Sequence, residues 1–254
     1  MPGYNRTELM IICAAKQLRN KMCVFVGIGL PVLACILAQK LWAPNVSMIF
    51  ESGVIGARPS RMALTMGDPA ISSGAAMITD FFDLYALTLQ RGLVDVGFLG
   101  GAQIDKFGNL NTSVIGEYQH PKVRLPGSGG GSEVASLSKK TIIIMAHEKR
   151  RFVDKVDFIT SPGHIPNANS VGVRGNGPEM VITTLGICKF DKSGEMYLDS
   201  VHPGVTIEQV RESTGWDLKV ANQVKRTVAP TDQEISVLRN EIDPRRIFLN
   251  KHVE

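Results

Sequence analysis

Residues 22–40 read MCVFVGIGLPVLACILAQK, and this stretch carries the clearest signal of the fold class. Residues 22–38 hold no charge, yet they reach only the lower limit of the roughly 17–25 residues that span a bilayer as a helix. Gly27 and Gly29 interrupt the apolar run, and Pro31 suits the first turn of a helix. The stretch therefore predicts a buried strand, a tight turn and a buried helix rather than a membrane span.

Similar apolar runs recur along the chain and alternate with helical patterns. They predict strands at 22–26, 46–50, 94–99 and 141–146, and helices at 9–18, 32–40 and 80–89. Thr7 is the predicted N-cap of the first helix, with Glu8 at its positive end. Buried strands that alternate with helices predict an α/β fold, in which a mainly parallel sheet is flanked by helices.

The C-terminal third has a different pattern. Apolar runs at 181–188 and 196–198 flank Asp191-Lys192-Ser193-Gly194, which predicts a hairpin. Two capping boxes predict further helices: Thr206 with Gln209, and Thr231 with Glu234. Pro244 should end the second of these helices. No internal repeat or change of composition marks a linker, so we predict a single domain over 1–254.

The composition excludes several classes of protein. With 44% hydrophobic and 20% charged residues in 254, the chain is neither disordered nor a disulfide-stapled miniprotein. A net charge of +4 without a dense basic run predicts no nucleic-acid partner. The interpretation of residues 22–38 as a strand, turn and helix predicts no membrane partner. The four cysteines (Cys13, Cys23, Cys35 and Cys188) lack metal spacing and lie in apolar runs. We therefore expect free thiols, no metal and no secretory signal, and a cytoplasmic location.

Two motifs suggest chemistry but favour ordinary structure. Gly27-x-Gly29 lacks the third glycine of a dinucleotide-binding turn, because position 32 is Val, so a plain strand-to-helix turn is favoured. His147-Glu148-x-x-Arg151 lacks the second His of a zinc-protease helix, so a solvated helix start is favoured over a phosphate contact. His164 and His202 show no partner in the sequence.

Two other features leave a functional alternative open. The run Gly127-Ser128-Gly129-Gly130-Gly131 is either a flexible surface loop or a nest of backbone N–H groups for an anion or oxyanion. Glu51 follows a predicted buried strand, and the carboxyl ends of such strands are where ligands bind in open α/β sheets. A carboxylate there can act as a nucleophile or a base, although most glutamates at strand ends are not catalytic.

Taken in order, these segments resemble the class I CoA-transferases, and most of all the B (β) subunits of the glutaconate CoA-transferases. Three segments match the conserved strand, turn and helix, the glutamate motif and the glycine loop: 26–31 (VGIGLP), 49–53 (IFESG) and 127–130 (GSGG). Residues 100–111 (GGAQIDKFGNLN) match a further family segment. The likeness also covers 120–122, 147–152 and 241–244, so it extends nearly from end to end.

The resemblance implies a covalent mechanism. Glu51 would be the nucleophile that attacks an acyl-CoA thioester and then carries CoA as a glutamyl thioester. The backbone N–H groups of Gly129 and Gly130 would stabilise the oxyanions of this catalytic cycle. Five further residues would bind or position the substrate: Gly29, Gln103, Asn109, Ser128 and Gly131. Coenzyme A would be a substrate, with no permanently bound cofactor.

The resemblance also implies a homologous A (α) subunit, and hence a hetero-oligomer that acts on a short dicarboxylic acid. Arg58, Arg61 and Arg124 are candidates for the cation that binds the remote carboxylate, which the A subunit could supply instead. Relatives without the glutamate act as a decarboxylase or a ring-opening hydrolase on CoA thioesters. Ser132-Glu133 differs from the residues that follow the glycine loop in relatives, which leaves the acyl group undefined. A CoA-thioester hydrolase or decarboxylase on the same scaffold is therefore the second alternative for this chain. The third is a non-catalytic ligand binder or a relative of sugar-phosphate isomerases on the same fold.

Overall fold

The computed structural model describes residues 3–165 and 173–250. The chain divides into two compact units, which we call unit 1 (Met1–Phe98 with Ala229–Glu254) and unit 2 (Leu99–Val228). That the whole chain behaves as one domain stays a prediction.

Strands and helices alternate over residues 6–50 and 196–237, with runs of two or more consecutive strands between these ranges. The strands are β1 (Cys23–Phe25), β2 (Ser47–Phe50), β3 (Val54–Ala57), β4 (Met77–Ile78), β5 (Val96–Leu99), β6 (Gln103–Ile104), β7 (Leu110–Asn111), β8 (Val114–Gly116), β9 (Pro121–Arg124), β10 (Lys140–Met145), β11 (Pro178–Thr183), β12 (Gly186–Phe190), β13 (Met196–Val201) and β14 (Lys219–Arg226). The α-helices are α1 (Arg6–Ala15), α2 (Leu30–Leu41), α3 (Phe81–Leu84), α4 (Gly131–Leu137), α5 (Ile207–Glu212) and α6 (Asp232–Val237). This combination of strands and helices confirms the predicted α/β fold class.

The sheet of unit 1 runs in the order β5, β1, β2, β3, β4. Its centre is parallel, since β1 pairs in parallel with both β5 and β2. The strands β3 and β4 extend one side in antiparallel pairing. Three of the four predicted strands are therefore confirmed here, each with its ends moved by at most two residues.

The first helix begins earlier than predicted. Asn5, not Thr7, is the N-cap: Asn5 Oδ1 accepts from the Glu8 N–H at 2.8 Å, and the Glu8 carboxylate accepts from the Asn5 N–H at 2.8 Å. This reciprocal capping box needs an acidic or amide side chain three residues after the cap. Thr7 has Met10 at that position, so it lies inside the helix and is buried.

The second helix agrees with the prediction from residues 22–40. Gly29 is the N-cap of α2 and has a φ of +116°, which suits glycine, and Pro31 lies in the first turn. Leu33, Ile36 and Leu37 are buried, as expected for a helix that covers a sheet. Among the described residues, no helix is long and apolar enough to cross a membrane.

The sheet of unit 2 runs in the order β10, β11, β12, β13, β14. The pairs β10–β11 and β13–β14 are parallel, and β12 pairs antiparallel with both of its neighbours. Its core holds Ile143, Phe152, Val181 and Leu198, all of which are almost fully buried. The predicted strand at 141–146 is confirmed as β10.

The predicted strand at 181–188 is wrong, because the run contains two strands and a turn. Thr183 Oγ1 accepts from the N–H groups of Leu185 and Gly186 and donates to the Gly186 carbonyl, which closes the turn between β11 and β12. A Cβ on Gly186 would lie 2.2 Å from the Ser200 carbonyl oxygen, so only glycine permits this approach to β13. The hairpin around 191–194 is confirmed, but it joins β12 to β13.

The remaining predicted helices are present. Both capping boxes form, at the starts of α5 and α6. A π-helical segment, Leu238–Ile242, continues α6 up to its C-cap Asp243, immediately before Pro244. The helix predicted at 80–89 begins after its N-cap Asp80 as α3 and continues as the π-helical segment Tyr85–Leu89.

Candidate active site

Two turns of unit 1 emerge side by side at one edge of its sheet. Phe25 of β1 is in register with Ile49 of β2, and the Val26 N–H donates to the Ile49 carbonyl at 2.9 Å. Because β1 and β2 are parallel, the turn with Gly29 and the turn with Glu51 follow the carboxyl ends of adjacent strands. This is the edge at which open α/β sheets bind their ligands.

The Glu51 turn is fixed by close backbone contacts. Gly53 donates from its N–H to the Phe50 carbonyl, and its own carbonyl accepts from the Thr79 N–H at 2.9 Å. Gly53 has a φ of +92°, and a Cβ there would lie 1.9 Å from the Thr79 carbonyl oxygen. No side chain can occupy this position without displacing the backbone, so the strand end holds Glu51 in a defined place.

Glu51 itself is half-buried. Within the described residues its carboxylate makes no hydrogen bond and no ion pair. A partner cation would lower the reactivity of a carboxylate by stabilising its ground state. An unpaired carboxylate on a rigid turn has the properties that a nucleophile or a base requires.

The glycine loop of unit 2 is tied to the chain at one end by Thr112. The Thr112 carbonyl accepts from the Gly127 N–H at 2.9 Å, and its hydroxyl donates to the Gly127 carbonyl at 2.8 Å. At the other end, the Gly131 N–H donates to the Ser128 carbonyl at 2.9 Å, and Gly130 is the N-cap of α4. The glycine run is therefore an anchored loop with a defined exit into a helix.

The backbone between these anchors presents two free donors. Gly129 has a φ of +48°, and within the described residues the N–H groups of Gly129 and Gly130 meet no hydrogen-bond acceptor. The Ser128 hydroxyl donates to Ser132 at 3.2 Å. Adjacent backbone N–H groups of this kind can bind an anion.

Gln103 belongs to a buried hydrogen-bond network. Its Oε1 accepts from Asn111 Nδ2 at 2.7 Å and from the Asp157 N–H at 3.1 Å, while its Nε2 donates to the Asp157 carboxylate at 3.1 Å. Gln103 is 6% exposed. Its amide is used within the protein, which favours a role in positioning loops.

Asn109 holds a second loop together. Its Nδ2 donates to the Asp105 carboxylate at 2.9 Å, and its Oδ1 accepts from the Gly163 N–H at 2.8 Å. A Cβ on Gly163 would lie 2.1 Å from the Phe107 carbonyl oxygen, so these two segments are in close contact. Like Gln103, Asn109 has the contacts of a positioning residue.

The predicted solvated helix at His147 is wrong. His147 is 5% exposed, stacks on Phe152, and contacts the hydroxyls of Thr183 and Thr214 through its two ring nitrogens. Burial lowers its pKa to about 3, so the imidazole is neutral. The sequence pattern could not predict this arrangement, because Thr183 and Thr214 lie far from His147 along the chain.

The other two histidines also have structural partners. His202 Nε2 lies 2.8 Å from the Thr183 carbonyl, which assigns the ring proton to Nε2, and Nδ1 lies 2.8 Å from Thr227 Oγ1. His164 Nε2 lies 2.9 Å from the Pro178 carbonyl. All three of these histidines therefore organise unit 2.

Each candidate arginine has a partner within its own unit. Arg61 makes a bidentate ion pair with Asp68, with both N···O distances at 2.9 Å. Arg58 donates to the Pro44 carbonyl, and Arg124 lies over the Tyr118 ring at 4.9 Å. These contacts make none of the three an obvious carboxylate receptor.

Sequence reasoning missed the residues that hold the two turns. Thr79 fixes the Glu51 turn through its backbone, and Thr112 and Thr160 fix the start of the glycine loop: Thr160 Oγ1 accepts from the Thr112 N–H at 2.9 Å. Threonines of this kind carry no spacing pattern. The only sequence signal for these turns was the presence of their glycines, which readily adopt the positive φ that such turns require.

Known proteins with related sequences and structures place the chain in a family. Residues 7–213 match the family described as Coenzyme A transferase. The chain is 46% identical over 243 residues to the B subunit of the 3-oxoadipate CoA-transferase of Pseudomonas knackmussii, with 94% of each chain covered. It is 38% identical over 261 residues to the B subunit of the glutaconate CoA-transferase of Acidaminococcus fermentans, covering 99% of this chain and 97% of that one.

The fold agrees with the sequence likeness. The crystal structure of glutaconate coenzyme A-transferase from Acidaminococcus fermentans superposes with a TM-score of 0.91 at 36% identity, covering 98% of both chains. The family resemblance noted from the motifs is thereby confirmed. The chain belongs to the coenzyme A transferase family.

Proposed function

We propose that this chain is the B subunit of a heteromeric CoA-transferase, and that Glu51 carries CoA between an acyl-CoA and a free short dicarboxylic acid. The observation that carries the proposal is the placement of Glu51. It is a half-buried carboxylate without a partner among the described residues, on a rigid turn at the carboxyl end of a parallel strand.

The first half of the reaction moves CoA onto the protein. The Glu51 carboxylate attacks the thioester carbonyl, a C–O bond forms, the C–S bond breaks, and CoA leaves as a thiolate. The thiolate then attacks the glutamyl carbonyl of the mixed anhydride and releases the donor acid as its carboxylate. Glu51 is left as a thioester of CoA, so the transfer potential of the original thioester is kept.

The second half repeats these steps in reverse with the acceptor acid. The acceptor carboxylate attacks the glutamyl thioester, displaces CoA thiolate and forms a new anhydride. The thiolate attacks the acceptor carbonyl, the new acyl-CoA leaves, and the Glu51 carboxylate is regenerated. No electrons are gained or lost, and no water is consumed.

Each addition step creates an oxyanion, and we assign its stabilisation to the free N–H groups of Gly129 and Gly130. Removing one such donor typically costs about 3–4 kcal/mol of transition-state stabilisation. Gly29, Ser128 and Gly131 are proposed to shape the backbone that meets the substrate. For Gln103 and Asn109 the hydrogen bonds support loop positioning rather than a direct substrate contact.

The relatives support a dicarboxylic acid as the proposed substrate class. Both 3-oxoadipate and glutaconate are dicarboxylic acids, and the identity is higher to the 3-oxoadipate relative than to the glutaconate relative. A 3-oxoadipate-like acid is therefore as strong a candidate as the glutaconate-like acid expected from the motifs. Because Arg58, Arg61 and Arg124 are engaged within their own units, we propose that the A subunit supplies the cation for the remote carboxylate.

The partner is inferred from the same relatives, each of which is the B subunit of its enzyme. We propose that an A subunit completes the enzyme and that this chain alone does not exchange CoA. The transfer assignment, rather than hydrolysis or decarboxylation, rests on the presence of Glu51.

The test is to trap the covalent intermediate. The chain is co-purified with the A subunit of the same organism and incubated with 3-oxoadipyl-CoA or glutaconyl-CoA without an acceptor acid. Borohydride then reduces a glutamyl thioester to the alcohol, and peptide mass spectrometry locates the modified residue. We expect a defined mass loss at Glu51 that depends on acyl-CoA.

Two variants make the result specific. Glu51→Gln should abolish both the mass loss and the exchange of label, with a rate decrease of roughly 10⁴-fold or more. Glu212→Gln, at an exposed position at the end of α5, is the matched control and should behave like the wild type. If the CoA ester is consumed while Glu51 stays unmodified, the chain is a hydrolase or decarboxylase, and the transfer proposal fails.

A further inference from the structure

The hairpin of β8 and β9 in unit 2 carries an exposed stack of side chains. Tyr118, in the turn between the two strands, stacks on Phe158 with ring centroids 5.1 Å apart and planes 25° apart. The Arg124 guanidinium of β9 lies 4.9 Å from the centre of the Tyr118 ring, and its Nη2 donates to the Tyr118 carbonyl at 3.2 Å. We call these three residues the hairpin stack, because direct contacts join each of them to Tyr118.

The hairpin stack is held in place and is still open to solvent. Tyr118 is 49% exposed and Phe158 is 37% exposed. The Gly116 N–H donates to the Asp157 carboxylate at 2.8 Å, which ties the hairpin to the segment that carries Phe158. Two rings and a guanidinium arranged in this way form a surface on which a planar base can stack.

Cationic side chains accompany the rings. The stem of Lys122 packs on Gly116, where a Cβ would lie 3.3 Å from Lys122 Cγ. Lys122 is exposed, and within the described part of the chain its ammonium group meets no acidic side chain. Arg124 directs one N–H group to the Tyr118 carbonyl and has others that meet no acceptor among the described residues. An ammonium group and the edge of a stacked guanidinium both suit phosphate oxygens.

The ligand class that matches both features is a nucleotide with several phosphate groups. Its base would stack on the rings, and its phosphates would pair with the cations. Among the substrates of the proposed reaction, only coenzyme A has these parts, since it carries adenine, a 3′-phosphate and a diphosphate at the end away from the thiol. A dicarboxylic acid has no group that would stack.

The distance to the glycine loop fits the length of coenzyme A. The Gly127 N–H donates to the Thr112 carbonyl at 2.9 Å, so the two chain segments of the hairpin stay paired up to the start of the loop. Arg124 and Lys122 are three and five residues before Gly127, or about 10–17 Å along an extended chain. The pantetheine arm between thiol and diphosphate has about thirteen bonds, the reach of about four residues, or roughly 14 Å. A thioester at the glycine loop would therefore bring its diphosphate to these cations.

We propose that the hairpin stack and Lys122 form the binding site for the nucleotide end of coenzyme A. This inference rests on the proposed function for the identity of the substrate, and adds where its adenine end binds. The adenine base extends the stack of Tyr118 and Phe158. Lys122 and the free edge of Arg124 pair with the phosphates, and the pantetheine arm follows the hairpin to the glycine loop.

The test compares two substrates in the complex with the A subunit: an acyl-CoA, and the same acyl group on pantetheine, which lacks the phosphates and the base. We expect Tyr118→Ala and Lys122→Gln each to lower kcat/KM for the acyl-CoA at least ~10-fold and to leave kcat/KM for the acyl-pantetheine unchanged. A loss of folding or of chemistry would instead lower both values.

Phe107→Ala is the matched control. Phe107 lies in the turn between β6 and β7 and is also 37% exposed, and Lys106 Nζ lies 5.8 Å from the centre of its ring. An exposed ring with a cation is thus removed outside the hairpin stack. The kcat/KM of this variant for the acyl-CoA should match the wild type.

Calorimetric titration with 3′-phospho-ADP adds a measurement that requires no chemistry. The wild-type complex should bind this fragment of coenzyme A, and Tyr118→Ala and Lys122→Gln should each raise its Kd at least ~10-fold. Glu51→Gln should bind it as the wild type does, because the proposed nucleophile does not touch the nucleotide.

The outcomes separate this inference from the proposed function. If Tyr118→Ala and Lys122→Gln bind 3′-phospho-ADP as the wild type does, or lower kcat/KM equally for both substrates, the inference is wrong, whatever the trapping experiment at Glu51 shows. If Tyr118→Ala weakens only the association with the A subunit in analytical ultracentrifugation, the hairpin stack is a protein contact, and the inference is again overturned. Weaker nucleotide binding in both variants, with Glu51 unmodified in the wild-type complex, supports the nucleotide site and rejects the transfer chemistry.

Discussion

The Glu51 turn in unit 1 and the glycine loop in unit 2 are both built on glycines with positive φ, but different forces hold them. Gly53 is fixed by backbone against backbone, with the Thr79 carbonyl where a Cβ would be. Gly127 is held by one backbone hydrogen bond and one hydroxyl, both from Thr112. Gly127 has open space around its own Cβ position.

The contrast matches the chemistry proposed for each region. A nucleophile that forms and breaks two kinds of covalent bond must stay in one position, and steric exclusion provides that rigidity. A loop that stabilises oxyanions on changing acyl groups needs correct donors but tolerates small adjustments. We therefore expect substitutions in the Glu51 turn to have all-or-none effects on stability and activity. Substitutions in the glycine loop should have graded effects.

The largest effect is expected for Gly53→Ala. The added Cβ would have to displace the Thr79 backbone, in addition to the strain of an alanine at a φ of +92°. We expect a loss of about 3–5 kcal/mol in the free energy of unfolding, measured by urea denaturation.

Gly92→Ala provides the matched comparison. Gly92 is also in unit 1 and has a φ of +68°, but nothing lies within 4 Å of its Cβ position. Its substitution should cost only the conformational strain of about 1–2 kcal/mol. Equal losses for the two variants would show that steric exclusion does not fix the Glu51 turn.

A smaller effect concerns the response of the two units to acid. Burial lowers the pKa of His147 in unit 2 to about 3, against an ordinary value near 6.5. Below that ordinary value the unfolded chain binds a proton that the folded chain does not, so stability is lost as the pH falls from about 6.5 towards 3. The loss in the free energy of unfolding that His147 causes should amount to about 2 kcal/mol as the pH falls from about 7 to about 5.

Unit 1 should lose stability at a lower pH than unit 2. Burial raises the pKa of Glu8, but hydrogen bonds from Arg239 and Asn5 outweigh it and leave the pKa below its ordinary value of 4.5. The stability that Glu8 contributes is present above that value and is lost only as the pH falls below it. Hydrogen exchange at about pH 5 should therefore show unit 2 opening before unit 1.

A variant of His147 tests this order. His147→Gln should flatten the dependence of unfolding free energy on pH between about 7 and 5. If the wild type and His147→Gln have the same slope, the buried imidazole is not the source of acid sensitivity in unit 2.

These comparisons also show which parts of the molecule the sequence could predict. The strand, turn and helix at 22–40 were predictable because apolar runs, Gly29 and Pro31 act locally. The candidate role of Glu51 came from its position after a buried strand, which is again a local pattern. The family resemblance added the order of the motifs, which no single motif specifies.

The remainder depended on contacts between distant segments. The turn at Gly186 exists because β13 approaches it closely, and His147 is buried because Thr183 and Thr214 surround it. The N-cap was misplaced for a different reason. Asn5 and Thr7 are both suitable caps, and only the reach of Glu8 back to Asn5 distinguishes them.

The smallest effect is expected for Thr112→Val, which removes the hydroxyl bond to Gly127 and keeps the shape of the side chain. Losing one such hydrogen bond should lower the unfolding free energy by about 1 kcal/mol. In the complex with the A subunit, we expect kcat for CoA exchange to fall about fivefold, since roughly 1 kcal/mol of loop positioning is lost in the transition state. Thr112→Ser keeps the hydroxyl and should restore most of the rate. A wild-type rate in Thr112→Val would mean that the glycine loop keeps its geometry without this anchor, and the contrast with the Glu51 turn would then lie in the loop backbone itself.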